Sequence, residues 1–458
     1  MRFLRVITKQ RLLRFFKFIG ITFLLYLVIM YCLIYFGTSR SAGQSWELWK
    51  EVIPGVVTHP FFYVLLLIPF GLYLIGRSLF FDFKKKRWVG LLRGFALKIL
   101  LPVVVFFGMS AGLKQFRLSE SFEYTWDTSV ENHTSTTRGL YEVDGKQRGI
   151  HVFGISSNPE DLEKLKTNNF EWITLTSFIG QQEYNAPEIN VPSEESFQRI
   201  KDQYAKVGAI CDSLGIKIMI KPHIWLRENE PGKWRSNIEM KDEEAWDLWF
   251  EKYEATMLGY ARIATEIGAA QFCLGTELET TVREKPGKWR SLIANIKEVY
   301  SGKLTYAANW NEEYQQVPFW DMLDYIGIQA YFPLSEGLNP TLEELEASWA
   351  PFVSEIKTVS ETFNKPVLFT EIGYRSLKGT SKTPWEWAGI SHWFSRISKK
   401  EQYLCYEAFF NTVWNEPWFH GLHIWEWQGR MTDGDNTSFS VEYKPAMNLI
   451  AKRFSQSQ

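Results

Sequence analysis

At 458 residues the chain is too long for one small domain and suits a membrane segment followed by one large barrel of the (β/α)8 size class. With 51 basic against 52 acidic residues and a net charge of -1, it has no global attraction for nucleic acid or other polyanions, and no nucleic-acid partner is expected. Four cysteines without CxxC spacing (Cys32, Cys211, Cys273, Cys405) argue against a zinc ribbon or a disulfide scaffold, and seven scattered histidines without HExxH argue against a metal site.

Phe18 to Phe36 is uncharged and long enough to cross a bilayer as a helix. Arg2, Arg5, Lys9, Arg11, Arg14 and Lys17 precede it without one acid, which places the N-terminus in the cytoplasm. Further apolar runs cover 61–81, across Arg77, and 94–113, across Lys98, both of which can snorkel. The loop between them carries Lys84, Lys85, Lys86 and Arg87 against Asp82, so it too should be cytoplasmic. Three crossings from an internal N-terminus put everything after about residue 114 on the extracytoplasmic side of a multi-pass membrane protein. The competing reading is a cleaved signal peptide ending near Ser41-Ala42-Gly43.

Residues 115–148 read as a linker or capping extension, with a glycosylation-type triplet at Asn132-His133-Thr134. From residue 149 to the C-terminus, short apolar runs alternate with amphipathic stretches. Candidate strands begin at 149, 172, 217, 271, 304, 325, 366 and 422, and helices are expected over PEDLEKLKTNN, Glu194–Leu214, Asp242–Ile267 and from Gly287. Eight such units predict a parallel sheet closed into a TIM barrel, an α/β fold preceded by three transmembrane helices. The rival, an open doubly wound sheet, lacks both GxGxxG after the first strand and GxxxxGK[ST]. The DGDN stretch at 433–436 has no EF-hand spacing and reads as a turn.

Active residues of such barrels sit at the C-terminal ends of strands. The fourth strand ends in Glu277 and the seventh in Glu371, roughly across the mouth from one another, which places two carboxylates about one glycosidic bond. One, kept protonated, would donate to the leaving oxygen and the other, ionised, would attack the anomeric carbon; retention of configuration needs the carboxyl groups about 5–5.5 Å apart. A single glutamate at a strand end is more often a cap or an ion-pair partner; two ending apolar strands make that reading less attractive. Glu279 falls on the next turn, and Glu426, at the end of strand eight, is the main rival carboxylate. The third strand brings Lys221 and His223 to the mouth, the fifth Asn309 and Trp310, the sixth Gln329 and Tyr331. Such neutral donors hold sugar hydroxyls, a tyrosine hydroxyl steadies an ionised carboxylate, and the many tryptophans offer faces for sugar rings, as they also offer bulk for a core.

The blocks IKPH (220–223), Trp234-Arg235, FCLGTEL (272–278), LTYAANW (304–310), FWDMLDYIGIQAYFPL (319–334), KPVLFTEIGYRS (365–376) and IWEW (424–427) make the chain from about Arg148 onward resemble glycoside hydrolase family 113, clan A retaining hydrolases that include β-mannanases. The resemblance implies Glu277 as acid/base, Glu371 as nucleophile, and a sugar cleft lined by His223, Trp234, Arg235, Asn309, Tyr331 and Trp425. Thr276 stands where many clan A enzymes carry Asn, the stretch SFIGQQEYNAPEI is individual, and the membrane spans are an addition. The expectation is a retaining β-glycosidase without a cofactor, acting on a carbohydrate near the lipid bilayer, with β-mannan as the family's substrate. The rivals are a non-catalytic carbohydrate-binding or envelope-assembly protein and a transglycosylase using the same residues.

Overall fold

The computed structural model of the protein describes residues 9–37, 45–46, 48–50, 53, 60–117, 122–130, 139–153, 159–228, 230, 232–387, 395–429, 431 and 434–456. Asn132, His133, Thr134 and Asp433 lie outside these residues. The chain divides into two compact units, Met1–Lys114 and Gln115–Gln458.

In the first unit, helices run over Lys9–Gly37 and Pro60–Phe95, followed by a π-helical turn Ala96–Leu100 and a helix Leu101–Arg117. Among the described residues, two helical runs are long and apolar enough to cross a bilayer, centred on Phe15–Cys32 and Leu67–Arg117. Four consecutive cations interrupt the second run, and helical geometry breaks at Lys86 (φ -134°, ψ 22°) and Arg87 (φ 51°, ψ -138°). Beyond the break the chain doubles back. A Cβ added at Gly90 would stand 2.1 Å from the Asp82 carbonyl oxygen, and Lys98 donates to Ser78 Oγ at 2.7 Å and pairs with Asp82. The one cation of the last apolar run is thus neutralised within the hairpin.

The second unit is a closed barrel of eight parallel strands in the order β1 (Gln147–Val152), β2 (Trp172–Leu175), β4 (Lys217–Ile220), β6 (Gln271–Thr276), β7 (Lys303–Asn309), β8 (Tyr325–Gln329), β9 (Val367–Ile372) and β10 (Phe419–Trp427), with β10 pairing back to β1. These are the eight expected strands. Two more, β3 (Phe178–Gln181) and β5 (His223–Leu226), pair in parallel and were not anticipated. They prolong β2 and β4: Lys221 N–H donates to the Leu175 carbonyl and His223 N–H to that of Ser177, but Pro222 between them has no N–H and interrupts the ladder.

Strands buried on both faces need helices outside them. Ser193, Asp242 and Thr341 start three of these helices, Glu194–Leu214, Glu243–Glu266 and Leu342–Phe363, by accepting the backbone N–H of Ser196, Ala245 and Glu344. Trp249, Trp289, Trp349 and Trp414 fill the layer between helices and barrel at under 2 % exposure. The barrel axis is filled in tiers. At its base Gln147 donates to Gln271 at 2.7 Å, His423 reaches Gln147 at 2.8 Å and Thr174 at 2.6 Å; above them pack Met219, Cys273 and Ala307; at the top stand His151, Lys221, Gln329 and Thr370. Cys211, Cys273 and Cys405 are free and buried, and burial pushes each thiol up.

Candidate active site

Glu277 follows β6 at a register shift between β6 and β7, where the alternation of side chains along the strand is broken. Its backbone sits in the left-handed region at φ 51°, which costs a residue with a Cβ about 1 kcal/mol or more and is held by the Glu277 N–H bond to the Ala307 carbonyl at 2.9 Å. Gly275 is required just before it: a Cβ there would stand 2.8 Å from Tyr306 and 2.9 Å from Trp289. The carboxylate turns into the barrel mouth, where its Oε2 accepts from Trp234 Nε1 at 2.9 Å and Arg235 Nε at 3.1 Å.

Glu371 lies on β9 at a second irregularity. Gln329 of β8 pairs with Glu371 although Ile328 pairs with Phe369, so β9 holds one extra residue, Thr370. Both Thr370 and Glu371 therefore face the axis: Thr370 donates to Gln329 Oε1 at 3.0 Å, and Glu371 Oε1 accepts from Lys221 Nζ at 2.5 Å. The other oxygen, Oε2, accepts from the Tyr331 hydroxyl at 2.8 Å. Burial, and after it the Glu371 charge, holds the Tyr331 phenol well above its usual range, so it serves as a neutral donor.

His223 and Arg235 link the two glutamates. Arg235 Nη1 donates to His223 Nδ1 at 3.2 Å, and His223 Nε2 lies 3.7 Å from Glu371 Oε1. Burial first, then the charges of Lys221 and Arg235, hold the imidazole well below its usual range. A neutral ring accepting at Nδ1 carries its proton on Nε2, directed at the Glu371 side of the pocket. His151 and His423, farther down the axis, are likewise held neutral by burial, with the Lys221 charge adding to it.

Around these groups lies a cavity of about 570 Å³ whose lining includes both glutamates together with His223, Trp234, Arg235, Asn309, Trp310, Tyr331 and Trp425. All nine expected site residues are brought together. Five aromatic lining residues were not expected from the sequence: Phe178 on β3, Trp225 on β5, and Trp385, Trp387 and Phe439 on loops. Trp385 stacks on Trp310 with ring centroids 5.0 Å apart, and Trp387 stands edge-on to Trp425 at 6.0 Å. The sequence did hold a signal in the Pro384-Trp385-Glu386-Trp387 cluster, apolar rings on a segment without strand or helix period. Trp225, two residues after His223, is 42 % exposed against the same pocket.

Glu426 is not among the lining residues; its Oε1 accepts from Gln428 at 2.6 Å, and burial raises its carboxyl. The Glu313 carboxyl is buried behind Glu277. It accepts from the Tyr306 hydroxyl at 2.5 Å and Asn309 N–H at 2.6 Å, while burial, reinforced by the Glu277 and Glu279 charges, pushes it up to about 8. Tyr306 in turn accepts the Leu278 N–H at 2.7 Å, tying this group to the turn that carries Glu277. Among the described residues no cluster of His, Cys, Asp and Glu is arranged to hold a metal.

The model of Glycoside Hydrolase Family 113 matches residues 147–446. Among solved structures, the GH113 β-mannanase AaManA from Alicyclobacillus acidocaldarius, in complex with ManMIm, is 28 % identical with a TM-score of 0.59, over 68 % of this chain and 97 % of its own. A GH113 β-1,4-mannanase solved as a complex is 25 % identical with a TM-score of 0.58, over 68 % and 99 %. Another structure of a GH113 β-1,4-mannanase is 25 % identical with a TM-score of 0.59, over 69 % and 100 %. A comparison with curated proteins finds no match.

Proposed function

The chain belongs to glycoside hydrolase family 113 and is a glycoside hydrolase, and on that premise we propose that it is a retaining β-glycosidase whose substrate is a β-linked mannan or manno-oligosaccharide. Glu371 attacks the anomeric carbon while Glu277 protonates the departing glycosidic oxygen. Water, deprotonated by Glu277, then releases the sugar from Glu371. The observation that carries this reading is that Glu277 and Glu371 line one cavity, each on a break in strand register and joined through Arg235 and His223. The substrate preference rests on the β-mannanases among the similar structures.

In this reading each glutamate is prepared by its neighbours. Lys221 and Tyr331 hold Glu371 by one donor on each oxygen, which fixes the carboxylate plane. Trp234 and Arg235 occupy Oε2 of Glu277, leaving Oε1 to carry the transferable proton. Asn309, Trp310 and Trp425 line the cavity where sugar hydroxyls and faces would lie.

The test is turnover of β-1,4-manno-oligosaccharides and aryl β-mannosides by the native chain and two variants. Glu371→Gln is expected to abolish turnover with an unchanged melting temperature. Glu277→Ala is expected to slow oligosaccharides by orders of magnitude more than dinitrophenyl glycosides, whose leaving group needs no proton. Near-normal hydrolysis by Glu371→Gln would end the nucleophile assignment.

The proposal extends to placement. The apolar runs 18–36, 61–81 and 94–113 act as three spans, the turn Lys84–Arg87 stays in the cytoplasm, and the barrel works on the extracytoplasmic side. Support comes from the excess of cations at the N-terminus and in that turn, and from the break at Lys86 and Arg87.

A further inference from the structure

Lys221 is fully buried at the top of the barrel axis, and its ammonium touches two groups, Gln329 Oε1 at 2.8 Å and Glu371 Oε1 at 2.5 Å. Among the described residues, Glu371 is the one carboxylate within ion-pairing distance of it. Its other neighbours along the axis bring no negative charge: His151 and His423 are neutral, and Gln329, Thr370 and Met219 are uncharged. Arg235, another cation of the site, donates to Glu277 and His223. The charge of Lys221 is therefore balanced by Glu371 alone.

That balance changes during the reaction assigned to this site, on which the following inference rests. When a Glu371 oxygen bonds to the anomeric carbon, the bond from that carbon to the leaving oxygen breaks, and its electron pair goes to the leaving group with a proton from Glu277. Glu371 becomes a neutral ester, and Lys221 is left as a buried cation without a counterion. A lone buried charge is far costlier than a paired one. In the second half, water bonds to the anomeric carbon, gives a proton to Glu277, and the pair of the ester C–O bond returns to Glu371, restoring the ion pair. We propose that Lys221 is a positioning residue that makes the glycosyl-enzyme short-lived: its charge favours the return of Glu371 to the carboxylate and so speeds deglycosylation.

Removing the charge should act selectively on the second half-reaction. With Lys221→Gln, which keeps an N–H donor and drops the charge, deglycosylation becomes the slow step. On 2,4-dinitrophenyl β-mannobioside, kcat and KM are then expected to fall together by about tenfold or more, with kcat/KM held within about threefold and a burst of dinitrophenolate equal to the enzyme present. Lys221→Arg, which restores the charge, should return kcat toward the native value without the burst. The covalent species formed with 2,4-dinitrophenyl 2-deoxy-2-fluoro-β-mannobioside should reactivate at least tenfold more slowly in Lys221→Gln than in the native enzyme. Equal reactivation rates, or a kcat/KM that falls as far as kcat without a burst, would overturn the inference and leave Lys221 a structural prop. The reading beneath it fails separately: no mass increase on the peptide carrying Glu371 in the native enzyme would remove the nucleophile, whatever Lys221 does. If Lys221→Gln does not fold, Lys221→Met, uncharged and of similar length, takes its place, and a native reactivation rate in that variant would equally overturn the inference.

Discussion

Arg235 and Glu277 are joined by an Nε–Oε2 contact of 3.1 Å, and the same guanidinium reaches His223 with Nη1. One planar cation thus fixes both the orientation of a carboxylate and the tautomer of an imidazole. A lysine places a single point of charge and cannot serve both. Arg235→Lys is expected to lower kcat/KM by roughly one to two orders of magnitude, as loss of a hydrogen bond to a charged group of about 1.5–3 kcal/mol implies. Steady-state kinetics on β-1,4-manno-oligosaccharides measure it; a change under about threefold would show that the second bond, to His223, contributes nothing.

A pH dependence follows from Glu313. Its carboxyl is raised from 4.5 to about 8 in the folded chain, so the folded state holds this proton more tightly than the unfolded one. Stability from this group is complete below the ordinary carboxylate range and is lost as the pH rises through that window towards about 8. The native barrel should therefore lose melting temperature between about pH 5 and pH 8, and Glu313→Gln, which cannot ionise, should lose markedly less. Parallel melting curves against pH for the two proteins would refute the assignment.

Trp385 and Trp387 are 40 % and 56 % exposed at the pocket although both are large and apolar. Replacing either by Ala removes a face on which a sugar can lie, and about 0.5–1.5 kcal/mol of aromatic contact corresponds to a roughly 2- to 12-fold rise in KM. The rise should be larger for long manno-oligosaccharides than for a short aryl glycoside, with kcat little changed. Uniform losses on both substrates would place these rings in support of the fold instead.

The orientation proposed for the membrane segment is open to the same kind of check. A C-terminal tag on the full-length chain should be removed by protease added to intact cells. Replacing Lys84, Lys85, Lys86 and Arg87 with Gln should leave part of the population protected, since these cations retain the turn in the cytoplasm. Complete protection of the native chain would reverse the proposed topology.

Much of the barrel is written in local pattern. Runs such as Trp172–Leu175 and Tyr325–Gln329 are apolar on both faces, which only a sheet covered inside and out accommodates, and their helices begin at ordinary capping residues. Glu277 and Glu371 were legible for the same reason, each standing immediately after an apolar run. What the sequence concealed depends on distance along the chain. Glu313 feels the charge of Glu277 only because β7 lies beside β6, and β3 becomes a strand only because β5 is there to pair with it. Composition was equally ambiguous about tryptophan: Trp249 and Trp289 serve the core while Trp225 and Trp387 serve the pocket, and no local pattern separates them.

The additional residue in β9 has a consequence for how this domain can change over generations. Thr370 lets two successive side chains face the axis where alternation allows one, so β9 brings both a hydroxyl for Gln329 and the Glu371 carboxylate to the mouth. Excising Thr370 would leave Glu371 directly after Phe369, which packs outward on Trp349 and Phe409, and still opposite Gln329, so the carboxylate would keep its inward aim while the hydroxyl is lost. The barrel should therefore absorb the loss of that one codon with its nucleophile in place, because the residue is an addition to the strand and not a step in its alternation.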